Sequence, residues 1–244
     1  MEEITQTKGI ILNQQEIKYI AVILMAMNHV AEIFLQEGSV PFLLLRNIGY
    51  FTAPVMFYFL VEGYYYTHSR KKYGQRLLIF ALISQIPFQI AFGDGQIWKF
   101  VRGNMIFTLF LCFLLLMCLD ERRILSAAAL IFITCFCDWG LVAPIMVILF
   151  WNARRIGKNR MWAFLIGALL LFEEGYTAAA GAAGNRALYA LWQCSAVLLA
   201  GIVIVYLYNG ERGSSGRGLS KWFFYIFYPA HLLLLGVLRL LVIG

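Results

Sequence analysis

Apolar runs of roughly 20 residues follow one another from Ile17 to Ile243, separated by short polar turns. A helix of that length crosses the roughly 30 Å hydrocarbon layer of a bilayer. The chain is therefore expected to fold as an all-α, polytopic bundle of transmembrane helices. Composition agrees, with 61% hydrophobic and 14% charged residues, against about 25% charged in soluble domains. The runs leave no room for a separate soluble unit, so residues 17–244 read as one membrane domain behind a polar, cytoplasmic N-terminal tail, 1–16. That tail lacks the short apolar core and small-residue cleavage site of a signal peptide.

Nine spans are expected, at about 17–36, 42–67, 76–93, 103–119, 124–137, 139–152, 161–178, 186–208 and 222–243. The turns between them alternate in charge. Arg70-Lys71-Lys72, Arg122-Arg123, Arg154-Arg155 with Lys158 and Arg160, and Arg212, Arg217 and Lys221 fall on one side. Glu37, Asp94, Asp138 and Glu173-Glu174 fall on the other, where Lys99, Arg102, Arg186 and Arg239 are the positive charges. The positive-inside rule places the first set in the cytoplasm, with the N-terminus inside and the C-terminus outside. The net charge of +7 is thus a topology signal rather than a nucleic-acid footprint. Basic pairs at both ends of 124–152 require a short hairpin turning at Asp138-Trp139-Gly140. Asn209–Gly218 reads as a flexible cytoplasmic linker and 178–185 as an outer loop.

Polar groups inside the apolar runs are costly and default to functional hypotheses. His29 and His231 lie in the first and last runs, at similar expected depth near mid-membrane. Glu32 follows His29 by one helical turn and is placed to orient its imidazole. Arg46 and Glu62 share a span too far apart to pair with each other, so each is expected to pair with a different helix. Pro54 between them predicts a kink. Pro87, Pro144 and Pro229 are further kinks or breaks. Lys18 and Arg76 stand near span ends, where long cations reach headgroups. Cys112, Cys118, Cys135, Cys137 and Cys194 lie in apolar segments as small hydrophobes, and no metal site is expected.

Several stretches in order resemble the TraX family, conjugation proteins that acetylate pilin. They are Lys18-Tyr19-Ile20-Ala21 with Met27-Asn28-His29, then Leu45-Arg46-Asn47-Ile48-Gly49-Tyr50, Ala53-Pro54 and Val61-Glu62-Gly63-Tyr64. Further on come Ser84-Gln85-Ile86-Pro87-Phe88, Asn104-Met105-Ile106-Phe107, Asp138-Trp139-Gly140 and Phe224-Tyr225 through Tyr228-Pro229-Ala230-His231. The resemblance covers about residues 15–235. Two positions depart from the family pattern: Asn28 stands where Asp precedes the first histidine, and Gly49-Tyr50 where Gly-Arg is frequent. The family is in turn similar to membrane acyltransferases that modify surface sugars, whose basic residue and histidine match the spacing of Lys18 and His29.

The resemblance implies a multi-pass enzyme of a bacterial inner or plasma membrane. It would move an acetyl group from cytoplasmic acetyl-CoA to an amine or hydroxyl on a peptide, glycan or lipid headgroup. Lys18, Arg70, Lys71, Lys72 and Arg76 are the cations available for the donor's phosphates. His29 and His231 are the catalytic histidines, with Asn28 and Glu32 beside the first. Asn104, Tyr225 and Tyr228 are the candidate donors to an oxyanion. Arg46, Glu62 and Asp138 form a polar network of substrate or structural use. Two other readings share these residues: a small proton-coupled transporter and a non-catalytic membrane assembly protein.

Overall fold

The computed structural model describes residues 11–93, 100–179, 185–213 and 217–242, without the side chains of 217–221. Expectations on residues 1–10, on Asp94 and Lys99, on the middle of the 178–185 loop and on positions 214–216 lie outside the described residues. Among those described, ten α-helices account for nearly all regular structure: α1 (Gln14–Phe34), α2 (Val40–Gly49), α3 (Thr52–Tyr66), α4 (Arg70–Phe92) and α5 (Met105–Asp120), then α6 (Ile124–Thr134), α7 (Val142–Ile156), α8 (Met161–Ala178), α9 (Arg186–Ile202) and α10 (Arg217–Val242). The chain is an all-α polytopic bundle.

Six stretches are long and apolar enough to cross a membrane: α1, α2 with α3, α4, α8, α9 with the π-helical turn Val203–Leu207, and α10 from Trp222. The other three helices, α5, α6 and α7, have 16, 11 and 15 residues. At 1.5 Å per residue they extend only about 24, 17 and 22 Å. With these three, the helical segments match the nine expected stretches, and the expected hairpin is α6 and α7. α6 is peripheral: Ala127 and Thr134 are its buried residues, while Ile124 and Leu125 are mostly exposed.

The second span differs from expectation. It is interrupted at Tyr50–Phe51 rather than kinked at Pro54. The N–H groups of Tyr50 and Phe51 bond three residues back, to Asn47 and Ile48, which tightens and ends α2. Pro54 then falls in the first turn of α3, where its missing N–H leaves no gap in the ladder. Pro144 likewise lies in the first turn of α7, whereas Pro87 and Pro229 are interior to α4 and α10.

α3 forms the centre, buried along most of its length and packed against α1, α5, α7 and α9. The basic turns collect at one end of the bundle, the basic end below. There the Asp120 carboxylate accepts from Tyr64 Oη (2.6 Å) and Trp151 Nε1 (3.3 Å) and pairs with Arg70 (3.1 Å). The expected flexible linker is also partly ordered here. Leu12 N–H donates to Leu207 O, Asn209 N–H to Leu12 O and Gln14 N–H to Glu211 O, so 209–211 runs beside the N-terminal segment. Residues 217–218 already belong to α10.

Candidate functional site

α1 begins at the basic end with a reciprocal cap: Asn13 Oδ1 accepts from Gln15 and Glu16 N–H, and Glu16 accepts from Asn13 N–H. His29 sits five residues before its far end, so its ring lies in the half of the bundle away from the basic turns. α10 brings His231 to the same place. His29 Nδ1 and His231 Nε2 are 2.8 Å apart, and both residues are buried. The two rings are parallel, with centroids 5.1 Å apart, and Phe227 stacks on His231 at 4.9 Å. The two histidines expected at a common depth are thus in direct contact, in the half of the bundle away from the basic turns.

The hydrogen-bond chain assigns the protons. His231 Nδ1 lies 2.8 Å from the carbonyl oxygen of Phe227. A carbonyl only accepts, so His231 Nδ1 carries hydrogen and Nε2 of the neutral ring is an acceptor. His29 Nδ1–H must then donate to it, which leaves His29 Nε2 with a bare lone pair. That atom belongs to a residue lining a cavity of about 480 Å³.

The cavity is built where spans are broken or joined. Gly49, Tyr50, Thr52 and Ala53 from the α2–α3 break form one wall, and Asp138 through Val142 from the α6–α7 turn form another. Met105 and Tyr228 close the base, and Glu32, Arg46, Arg102 and Glu174 stand toward the exterior. Trp139 holds a left-handed backbone (φ 62°) while its ring meets Tyr50 at 5.7 Å and Phe57 at 5.8 Å. That conformation is unfavourable for a bulky residue. It is imposed by the paired backbone beside it, where Gly103 N–H donates to Phe136 O and Asp138 N–H to Gly103 O. Thr108 Oγ1 adds a bond to Asp138 O (2.8 Å).

The predicted residues divide into three groups. Asn28, His29, Glu32, Arg46, Asp138 and Tyr228 line this cavity, and His231 backs it through His29. Glu32 pairs with Arg46 (2.9 Å), so the partner of His29 Nδ1 is His231 rather than the residue one turn along α1. Asn28 Nδ2 donates to Arg46 O (2.9 Å), tying α1 to α2. Tyr228 Oη accepts the Met105 N–H (3.2 Å), which leaves its own proton free to donate. Burial pushes the Asp138 carboxyl up from its ordinary range, opposed by Arg102 at 3.7 Å and by the Trp139 N–H.

Asn104 is close by but fully engaged. Its Oδ1 caps α5 through Ile106 and Phe107 N–H, and its Nδ2 donates to Ala81 O and Gln85 Oε1. The third group stands toward the basic end. Lys18 lies over the Phe59 and Phe224 rings at 5.1 and 5.7 Å. Tyr225 bonds Arg76 and stacks on Phe80. Arg70 is held by Asp120, and Lys71 and Lys72 are exposed. Glu62 accepts from Tyr58 and Tyr208, both at 2.9 Å. Sequence reasoning missed Arg102, Glu174, Tyr50 and Thr52 as wall residues. Of these only Tyr50 carried a signal, as part of the Gly49-Tyr50 motif.

A family model described as TraX protein matches residues 13–239. A relative from Dichelobacter nodosus, named as a probable fimbrial assembly protein FimC of serogroup H1, is 33% identical over 240 residues, which covers 90% of this chain and 93% of the relative. No solved structure matches.

Proposed function

The chain belongs to the TraX family, and on that premise we propose that it is a membrane acetyltransferase with its reacting centre at His29. The reading places the basic end in the cytoplasm and the cavity toward the outer side. The observation that carries it is the relay Phe227 O, His231, His29, which leaves a bare imidazole nitrogen at the wall of a polar cavity. In this scheme an amine or hydroxyl acceptor enters the cavity and gives its proton to His29 Nε2 as it attacks the thioester carbonyl of acetyl-CoA. The Tyr228 hydroxyl donates to the developing oxyanion. When the intermediate collapses, the C–S bond breaks and the imidazolium returns its proton to the departing thiolate. His231 accepts the hydrogen bond of His29 throughout and disperses the charge on the imidazolium. Donor phosphates meet cations of the basic end, among them Lys18, Arg70, Lys71, Lys72 and Arg76. The thioester arm then runs along α1 from Lys18 to His29, about 16 Å at helical rise.

The test is acetyl transfer by purified protein in vesicles, with labelled acetyl-CoA outside the basic face and peptide amines, glycans and lipid headgroups offered as acceptors. Label should reach one acceptor class and be lost in His29→Ala. No transfer to any class, together with no thermal stabilisation by CoA or acetyl-CoA at millimolar concentration, sinks the proposal.

The relative is named for fimbrial assembly, which favours a second reading of this chain as a fimbrial assembly protein, here taken as one that acts without catalysis. Under it, His29→Ala would leave surface fibres and their chemistry unaltered in cells that express the folded protein.

A further inference from the structure

We propose that Arg154 and Arg160 form the binding site for the phosphate groups of the donor, with the Glu62 carboxylate competing for the same cations. This rests on the reading of a phosphate-bearing donor approaching from the basic end.

Cations in a cytoplasmic turn ordinarily serve topology and extend into water or headgroups. In the α7–α8 turn Arg155 and Lys158 do so, but Arg154 and Arg160 turn inward. Arg154 Nη1 folds back to within 3.8 Å of Glu62 Oε1, its side chain only 26% exposed. Arg160 Nη1 donates to Tyr58 Oη at 2.5 Å, and Tyr58 in turn donates to that same Oε1. One guanidinium group thus reaches one corner of the carboxylate directly and a second reaches it through the Tyr58 hydroxyl, while Tyr208 donates to its other oxygen. Arg212 and Arg154 both lie over the Tyr66 ring, at 5.6 and 4.6 Å, and Lys18 is within electrostatic reach of Glu62 and Arg212.

Burial separates this place from the other basic turns, since Arg154 and Arg160 are part-buried whereas Arg70, Lys71, Lys72, Arg122 and Arg123 are exposed. Arg70 is matched by Asp120, and Arg123 by Glu121 at 2.9 Å. Residues 154–160 hold Arg154, Arg155, Lys158 and Arg160 with no acid among them. Glu62 therefore faces more positive charge than it neutralises. Paired guanidinium forks with tyrosine hydroxyls between them suit phosphate oxygens, and both arginines remain open enough to be reached.

The experiment follows the thermal midpoint of the full-length protein in detergent during titration with CoA, inorganic pyrophosphate and short-chain phosphatidylglycerol. CoA and pyrophosphate should raise the midpoint, and Arg154→Gln/Arg160→Gln should raise the half-effective concentration of both at least about tenfold, whereas Arg122→Gln/Arg123→Gln should not. Glu62→Gln should lower that concentration several-fold, a gain that misfolding does not imitate. The site is overturned if the loss is confined to Lys71→Gln/Lys72→Gln, if Glu62→Gln weakens binding, or if neither anion binds. An equal shift with phosphatidylglycerol overturns the donor as occupant in favour of a lipid headgroup. Pyrophosphate binding that needs Arg154 and Arg160, without any response to CoA, retains the anion site and overturns the acetyl-CoA reading alone.

Discussion

His29 Nδ1 and His231 Nε2 meet at 2.8 Å across 202 residues of sequence, with ring planes 1° apart. The contact has a direction, because the Phe227 carbonyl compels His231 to donate at Nδ1. The two residues should therefore differ as variants. His29→Ala removes the proposed base and should reduce acetyl transfer by about 10²–10⁴-fold. His231→Gln offers an amide oxygen to His29 Nδ1–H and should keep part of the activity. His231→Ala leaves that N–H without a partner and should cost about 1–3 kcal/mol in stability as well. Rates with labelled acetyl-CoA beside denaturation midpoints check the order, and equal losses in the two His231 variants would remove the positioning role.

Tyr228 gives a sharper test, because its hydroxyl oxygen is occupied by the Met105 N–H while its proton is free. Tyr228→Phe should lower kcat by about 10- to 1,000-fold with KM little changed, the pattern of a bond made mainly in the transition state. Steady-state kinetics decide it. A rise in KM at constant kcat would place the hydroxyl in substrate binding instead.

Much of this was legible in the chain. Continuous apolar runs and alternating basic turns suffice for the order of the helical segments, because span length and loop charge are properties of contiguous sequence. The α6–α7 hairpin followed from the basic pairs flanking it. The break at Tyr50–Phe51 did not, since α2 and α3 together have the hydropathy of one span. The partner of His29 was hidden for another reason. Glu32 is visible one turn away, whereas His231 arrives through packing of α10 against α1. Glu32 has a stronger claim elsewhere, on the Arg46 guanidinium. Asn104 shows the same limit: an amide in a motif gives no sign that both its ends are already bonded.

Asn28 and Gly49 form a close approach between α1 and α2. A Cβ on Gly49 would stand 2.2 Å from the Asn28 Cβ, and Asn28 Nδ2 donates to the Arg46 carbonyl. Gly49→Ala should separate the helices and cost about 1–3 kcal/mol by overpacking. Asn28→Asp replaces a donor by a second acceptor facing a carbonyl and should cost about 1–3 kcal/mol. Denaturation in detergent measures both. Unchanged stability in Asn28→Asp would show that the amide is present for chemistry at His29 rather than for the α1–α2 junction.

At the basic end, Asp120 gathers Tyr64, Trp151 and Arg70, from α3, α7 and α4. The Arg70–Asp120 pair is substantially exposed, with side chains 45% and 30% accessible, so Arg70→Ala should change stability by no more than about 1 kcal/mol. Asp120→Ala is different, because it strands the Trp151 N–H and leaves the Tyr64 hydroxyl only its longer bond to Leu116 O (3.4 Å), and should cost about 1–3 kcal/mol. Paired denaturation curves for the two variants test the contrast. Equal effects would mean that the ion pair, not the two neutral donors, holds these helices.

Asn104 joins two functions that substitutions can separate. Its Oδ1 caps α5, and its Nδ2 crosses to Ala81 O and Gln85 on α4. Asn104→Asp keeps the capping oxygen and adds negative charge where the helix N-terminus favours it, but loses both cross-helix donors. Asn104→Ala loses everything. In the aspartate variant, at this fully buried position, the new carboxylate oxygen also faces Ala81 O and Gln85 Oε1 as acceptor against acceptor. The cap that the aspartate keeps, about 0.5–2 kcal/mol, is thus offset by about 1–3 kcal/mol, and it should be no more stable than the alanine. Because Met105 follows directly and binds Tyr228, any loss of acetyl transfer should scale with the stability lost in each variant. Abolished transfer in a fully stable Asn104→Asp would instead give the Asn104 amide a direct part in oxyanion binding.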